Sequence, residues 1–146
     1  MITYSIGEVA KRTGMTTHTL RYYEKEGLLP VIHKNSSGAR RFNEHDMECL
    51  EVLECLKSTG LPLKEIKLYM DLRQKGDTTL NERLQIFIRQ KKRLEDQIRV
   101  LNESMDKINF KIKFFEEAIK VGEDKVFEKN DELKAECKRL FKGKSK

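Results

Sequence analysis

The chain has 146 residues, 38% hydrophobic and 37% charged, with a formal net charge of +6. So high a charged fraction argues against one large core and for long exposed helices beside a single compact domain, while the positive balance makes an anionic partner plausible. No stretch is apolar enough to span a membrane, and the N-terminus carries no secretory signal pattern, so a cytoplasmic protein is expected.

The charge is unevenly spread. Residues 10–41 hold seven Lys or Arg against Glu24 and Glu26, whereas residues 43–55 hold five acids and no Lys or Arg. The basic surface is therefore early in the chain, and the acidic segment should face away from an anion. Cys49, Cys55 and Cys137 are odd in number and lack a CxxC spacing, which argues against a disulfide framework or a zinc site. There is no phosphate-binding glycine loop, no HExxH and no nucleophile elbow. The expectation is a protein that is no enzyme and carries no cofactor or metal.

In chain order, Ser5-Ile6-Gly7-Glu8 reads as a capping box opening a short helix over 6–12. Gly14 suits a left-handed turn, and Thr16 caps a second helix over 17–26 that Gly27 ends. Two short helices joined by a tight glycine turn read as helix-turn-helix, over about 5–26. The second helix offers Thr17, His18, Arg21, Tyr22 and Lys25, with Leu20 on its inner side; Tyr23 fits either the inner side or the DNA side. Arg forks to guanine or to phosphate, and Thr and Tyr hydroxyls reach phosphates. Residues 31–34, a turn at Asn35-Ser36-Ser37-Gly38, and residues 39–42 read as a basic hairpin, a wing over about 30–42. Its Arg40 and Arg41, with His33, are candidates for the DNA backbone or a minor groove.

Asn43 caps a third helix over 44–59, with Met47, Leu50, Leu53 and Leu56 inward and the acids outward. A fourth helix starts around Pro62 and runs to about 75, with Lys64 and Lys67 free to meet phosphate and its N-terminal amides open to an anion. A hinge at 76–79 follows, and Thr79-Leu80-Asn81-Glu82 reads as a second capping box.

Residues 80–121 contain no Gly or Pro. Leu84, Phe87, Leu94, Ile98, Leu101, Met105, Ile108, Ile112 and Phe115 alternate steps of three and four once Lys91 is counted into the seam. That is a 3.5-residue repeat, which predicts one helix of about 60 Å with a coiled-coil stripe. So narrow a stripe needs a second helix, most simply that of a second copy. Lys91 is read as a polar seam residue that sets register. Residues 123–141 read as a last amphipathic helix packing back on the coil end, and 142–146 as a solvated basic tail.

The segment YSIGEVAKRTGMTTHTLRYYEKEGLL, then GARRF, then LKSTGLPLKEIK resembles the MerR family of bacterial transcription regulators. The resemblance implies a mainly α fold: a winged helix-turn-helix DNA-binding domain over 1–75, then a dimerisation helix over 80–121 paired antiparallel in a homodimer, and a short C-terminal segment over 122–146. It further implies double-stranded promoter DNA as partner, bent and untwisted so that RNA polymerase can use it. Arg21, Tyr22 and Tyr23 match the family's recognition-helix contacts, Arg40 and Arg41 the first wing, and Lys64 and Lys67 the second. Pro62 stands where many relatives carry a capping Ser.

Metal-responsive members place Cys or His at both ends of the dimerisation helix; Thr78-Thr79-Leu80 and Val121-Gly122-Glu123 supply none. Around Cys55, VLECLKSTGL is similar to the AdhR and NmlR types, which answer aldehydes and other electrophiles, and this implies Cys55 as a sensor thiol in a stress response. Packing is the rival role for Cys55, and the favoured one for Cys49 and Cys137. Two other readings stay open: an architectural DNA binder without an effector, and a coiled-coil interaction scaffold.

Overall fold

The structure is a computed structural model and describes residues 1–142. Of the tail expected over 142–146, residues 143–146 lie outside the described residues. The described chain forms two compact units, Met1–Gln90 and a second from Lys91 onward.

In the first unit β1 (Tyr4–Ser5) leads directly into α1 (Ile6–Thr13). The Ser5 hydroxyl accepts from the Glu8 amide at 3.2 Å, and the Glu8 carboxylate accepts from the Ser5 amide at 2.7 Å. These bonds satisfy amide donors that have no partner within the first turn. Gly14 ends α1 at φ +74°, where a side chain would be strained, and Thr16 caps α2 (Thr17–Lys25). The hairpin is shorter than expected: β2 is His33–Lys34 and β3 is Arg40–Phe42. β3 pairs antiparallel with both β2 and β1, an arrangement not expected, since the pairing of β1 spans most of the domain in sequence. Phe42 and Ile32 anchor the sheet in the core, leaving its tip in solvent.

α3 (Glu44–Ser58) is capped by Asn43, whose side chain accepts from the Asp46 amide at 2.8 Å while Asp46 accepts from the Asn43 amide at 2.9 Å. The expectation that all acids of this helix face outward is corrected at Asp46: it is buried because its carboxylate turns back to close the cap. Asn43→Ala is expected to lower stability by about 1 kcal/mol, read as a lower urea midpoint at an unchanged slope. Met47, Leu50, Leu53 and Leu56 are buried, packing with Val9, Leu20, Ile66 and Ile86 in one core.

α4 (Leu63–Gln74) follows Pro62, which provides no side-chain cap. The hinge expected at 76–79 folds as a 3-10 turn, Asp77–Thr79, running into α5 (Leu80–Val121). The capping role expected for Thr79 is corrected. Thr79 is buried, its hydroxyl lies 2.7 Å from the Leu72 carbonyl and 2.8 Å from that of Gly76, and it accepts from Arg83 Nε at 3.1 Å. The hydroxyl stitches α4 to the start of α5 instead of capping it.

In the second unit the single last helix expected over 123–141 is broken into a 3-10 turn at Glu123–Lys125, α6 (Val126–Lys129), α7 (Asp131–Cys137) and a π turn at Lys138–Lys142. The break falls at Asn130, whose side chain accepts from the Leu133 amide at 3.0 Å and so caps a new helix. Val126 and Leu133 bury against Phe110, with Phe114, Phe127 and Cys137 around them.

Candidate nucleic-acid interface

α2 rests on the core through Leu20 and Tyr23, 1% and 2% exposed. Three residues apart, they share one face of the helix. The opposite face is thereby fixed outward: His18, Arg21, Tyr22 and Lys25 are exposed and Thr17 is half-buried. Tyr23, expected among the DNA contacts, is corrected to a core position. Its hydroxyl donates to Glu54 at 3.2 Å and accepts from Lys57 Nζ at 2.6 Å. The hydrogen bond to Tyr23 holds the Lys57 ammonium above the ordinary lysine range. Lys57 thus stays charged throughout neutral pH.

The hairpin flanks this face. His33 is exposed and pairs across the ladder with Arg41, as Lys34 does with Arg40. Both arginines lie in β3, and the tip is Asn35 to Gly38, where Asn35 accepts from the amides of Ser37 and Ala39. Neither arginine is unpartnered. Arg40 Nε donates to Glu24 of α2 at 2.6 Å, and Arg41 donates to the Thr3 hydroxyl and carbonyl, each at 3.1 Å. The Arg40–Glu24 pair ties hairpin to α2. Thr3 has no signal in the sequence, and Glu24, Glu54 and Lys57 read there only as charges; their partners lie 16 to 38 positions away, which no local pattern marks.

Lys64 and Lys67 are exposed on α4. Lys67 leans on the turn after α2: a Cβ built on Gly27 would stand 3.3 Å from Lys67 Cε. Its charge is therefore placed at the C-terminal end of α2, where a cation is favoured.

The three thiols differ. Cys55 is exposed, Cys137 is half-buried in the second core and Cys49 is buried. Arg73 donates to the Cys49 sulfur at 3.2 Å. Burial pushes the Cys49 thiol up; Arg73 pulls it back only in part, and Asp46 and Glu48 push with burial. Cys49 is thus held as a neutral packing thiol. Among the described residues no group of three or more His, Cys, Asp or Glu is placed to hold a metal ion. Nor is any described helix long and apolar enough to cross a membrane.

On α5 the whole predicted stripe is exposed: Leu84, Phe87, Lys91, Leu94, Ile98, Leu101, Met105, Ile108, Ile112 and Phe115. Phe87 packs edge-on to Tyr69, ring centres 5.3 Å apart. A different face of the helix is occupied by the chain's own residues. In the first unit Ile86 is buried, and Gln90 donates to the Thr59 carbonyl at 2.8 Å. In the second unit Phe110 is buried with Val126 and Leu133.

Comparison with known proteins gives a consistent set of relatives. Residues 4–72 match the family described as MerR HTH family regulatory protein, and residues 48–109 the one described as MerR, DNA binding. An HTH-type transcriptional regulator of Haemophilus influenzae is 39% identical over 86% of this chain and 93% of its own. The regulator AdhR of Bacillus subtilis is 37% identical over 62% of this chain and 64% of its own. The crystal structure of HiNmlR, a MerR family regulator lacking the sensor domain, bound to promoter DNA, superposes with a TM-score of 0.63. It is 39% identical, covering 83% of this chain and 96% of that one.

Proposed function

The chain belongs to the MerR family of DNA-binding transcriptional regulators, a non-enzymatic family, and from that premise we propose that two copies joined along α5 read and distort a promoter operator. The observation that carries the reading is α2, fixed by Leu20 and Tyr23 so that Arg21 and Tyr22 face outward. In this reading Arg21 meets a base edge or phosphate, Thr17 and Tyr22 meet phosphates, and His33, Lys64 and Lys67 flank them. Arg40 and Arg41 reach the backbone with the guanidinium nitrogens not spent on Glu24 and Thr3. The DNA-binding domain is assigned to 1–75 and the dimerisation helix to 80–121.

Bending and untwisting the operator, at a cost of about 1–6 kcal/mol, realigns promoter elements for RNA polymerase in the cytoplasm. The test is titration onto the promoter fragment beside the protein's own gene. Selective binding with steep salt dependence is the expected result. Equal affinity for a scrambled fragment would instead identify an architectural binder.

Cys55, alone exposed among the three thiols, is assigned as the effector site. Its thiolate adds to an aldehyde carbonyl carbon: the C–S bond forms, the carbonyl π pair passes to oxygen, and water supplies the proton. Cys55→Ser is expected to abolish an aldehyde-induced change in transcription while operator binding persists. A response equal to that of the unsubstituted protein would remove Cys55 from the mechanism.

A further inference from the structure

α2 has only two buried side chains, and they act differently. Leu20 is held by non-directional apolar contact, which resists separation but tolerates a roll of the helix about its axis. Tyr23 is held by direction. Its hydroxyl sits between Glu54 and Lys57, which lie one turn apart on α3 and grip it as acceptor and donor. The Lys57 ammonium reaches the hydroxyl from beyond the end of the ring, 5.2 Å from its centre, so the pair fixes where the hydroxyl end of the ring sits. The neighbouring Tyr22 ring, 6.1 Å from that of Tyr23, belongs to the exposed face.

We infer that Tyr23, Glu54 and Lys57 are positioning residues for operator selectivity: together with the Glu24–Arg40 pair that ties α2 to the hairpin, their clamp sets the roll of α2, and so where Arg21 and Tyr22 point. Base-edge contacts need a donor placed within a fraction of an ångström, whereas attraction to phosphate does not. The clamp therefore acts on selectivity rather than on general affinity for DNA. Glu54 and Lys57 are both in reach of solvent, so neither is left as a buried unpaired charge when the tyrosine hydroxyl is removed.

The inference rests on α2 being the DNA-reading helix, and the experiment separates the two. Full-length dimers of the unsubstituted protein and of Tyr23→Phe, Glu54→Ala, Glu54→Gln and Arg21→Ala are titrated onto the operator and onto a scrambled duplex over a range of salt. Tyr23→Phe and Glu54→Ala are expected to lose about 3- to 10-fold on the operator, with affinity for the scrambled duplex and the salt slope unchanged. Glu54→Gln keeps an acceptor for the tyrosine hydroxyl and is expected to stay within about 2-fold of the unsubstituted protein. Operator affinity unchanged in both Tyr23→Phe and Glu54→Ala, or an equal loss on both duplexes, overturns the clamp. Should Arg21→Ala also bind the operator normally, the assignment of α2 falls with it; a damaged Arg21→Ala beside a silent Tyr23→Phe overturns the clamp alone.

Discussion

Replacing Leu101 by Glu is expected to leave monomers and to lower operator affinity by about 10²–10⁴-fold, the gain that joining two binding modules supplies. The size follows from the proposed dimer, in which one DNA-reading unit would meet one half-site and linking two would make the second encounter intramolecular. Leu101 lies near the middle of the stripe and is 68% exposed within a single chain, so no core of the chain depends on it. In the proposed dimer a carboxylate there would be desolvated against apolar neighbours, a cost that opposes pairing. The checks are molar mass by light scattering, with helix content by circular dichroism as the control. A Leu101→Glu protein that stays dimeric and binds as before would show that the stripe is not the joining surface.

Arg21→Ala is the second large effect. A guanidinium that forks onto a base edge contributes about 1–3 kcal/mol, so operator affinity is expected to fall roughly 5- to 150-fold. Loss of a base contact flattens discrimination at one operator position, whereas loss of a phosphate contact weakens all sequences alike and lowers the salt slope by about one. Binding to a panel of single-base operator variants decides which role Arg21 has. Folding is expected to be unaffected, because Arg21 is exposed and its helix is anchored from the other side.

Much of the framework was legible because the forces involved are local. The capping pair at Ser5 and Glu8, the left-handed turn at Gly14 and the 3.5-residue repeat of α5 all work within a few residues of themselves. What stayed hidden is contact between distant segments. β1 gives no strand signal of its own; it is a strand because Phe42 and Arg41 come to lie beside it. Thr79 carries a capping pattern, but the carbonyl of Leu72 at the end of α4 competes for its hydroxyl. Asn130 interrupts an apolar repeat that reads as continuous, since the repeat does not register a polar side chain that caps better than it propagates. At the candidate interface, the helical spacing puts Leu20 inward and Arg21 outward but leaves the side of Tyr23 open, and the partners of Arg40, Arg41 and Tyr23 are not legible in it. An adduct on Cys55 would stand between Glu54 and Lys57 in sequence, a relation that acquires meaning only once both are seen to hold Tyr23.

The occupied face of α5 bears on stoichiometry. Trimers and tetramers of helices require each helix to meet two neighbours along its length, and so to present two bare flanks. Here Ile86 and Gln90 are taken up within the first unit, and Phe110 is roofed by Val126 and Leu133 within the second. At these two stretches the chain itself keeps a neighbouring helix off part of α5, which favours a pair over a larger bundle there, and the molar mass from light scattering tests whether assembly stops at two.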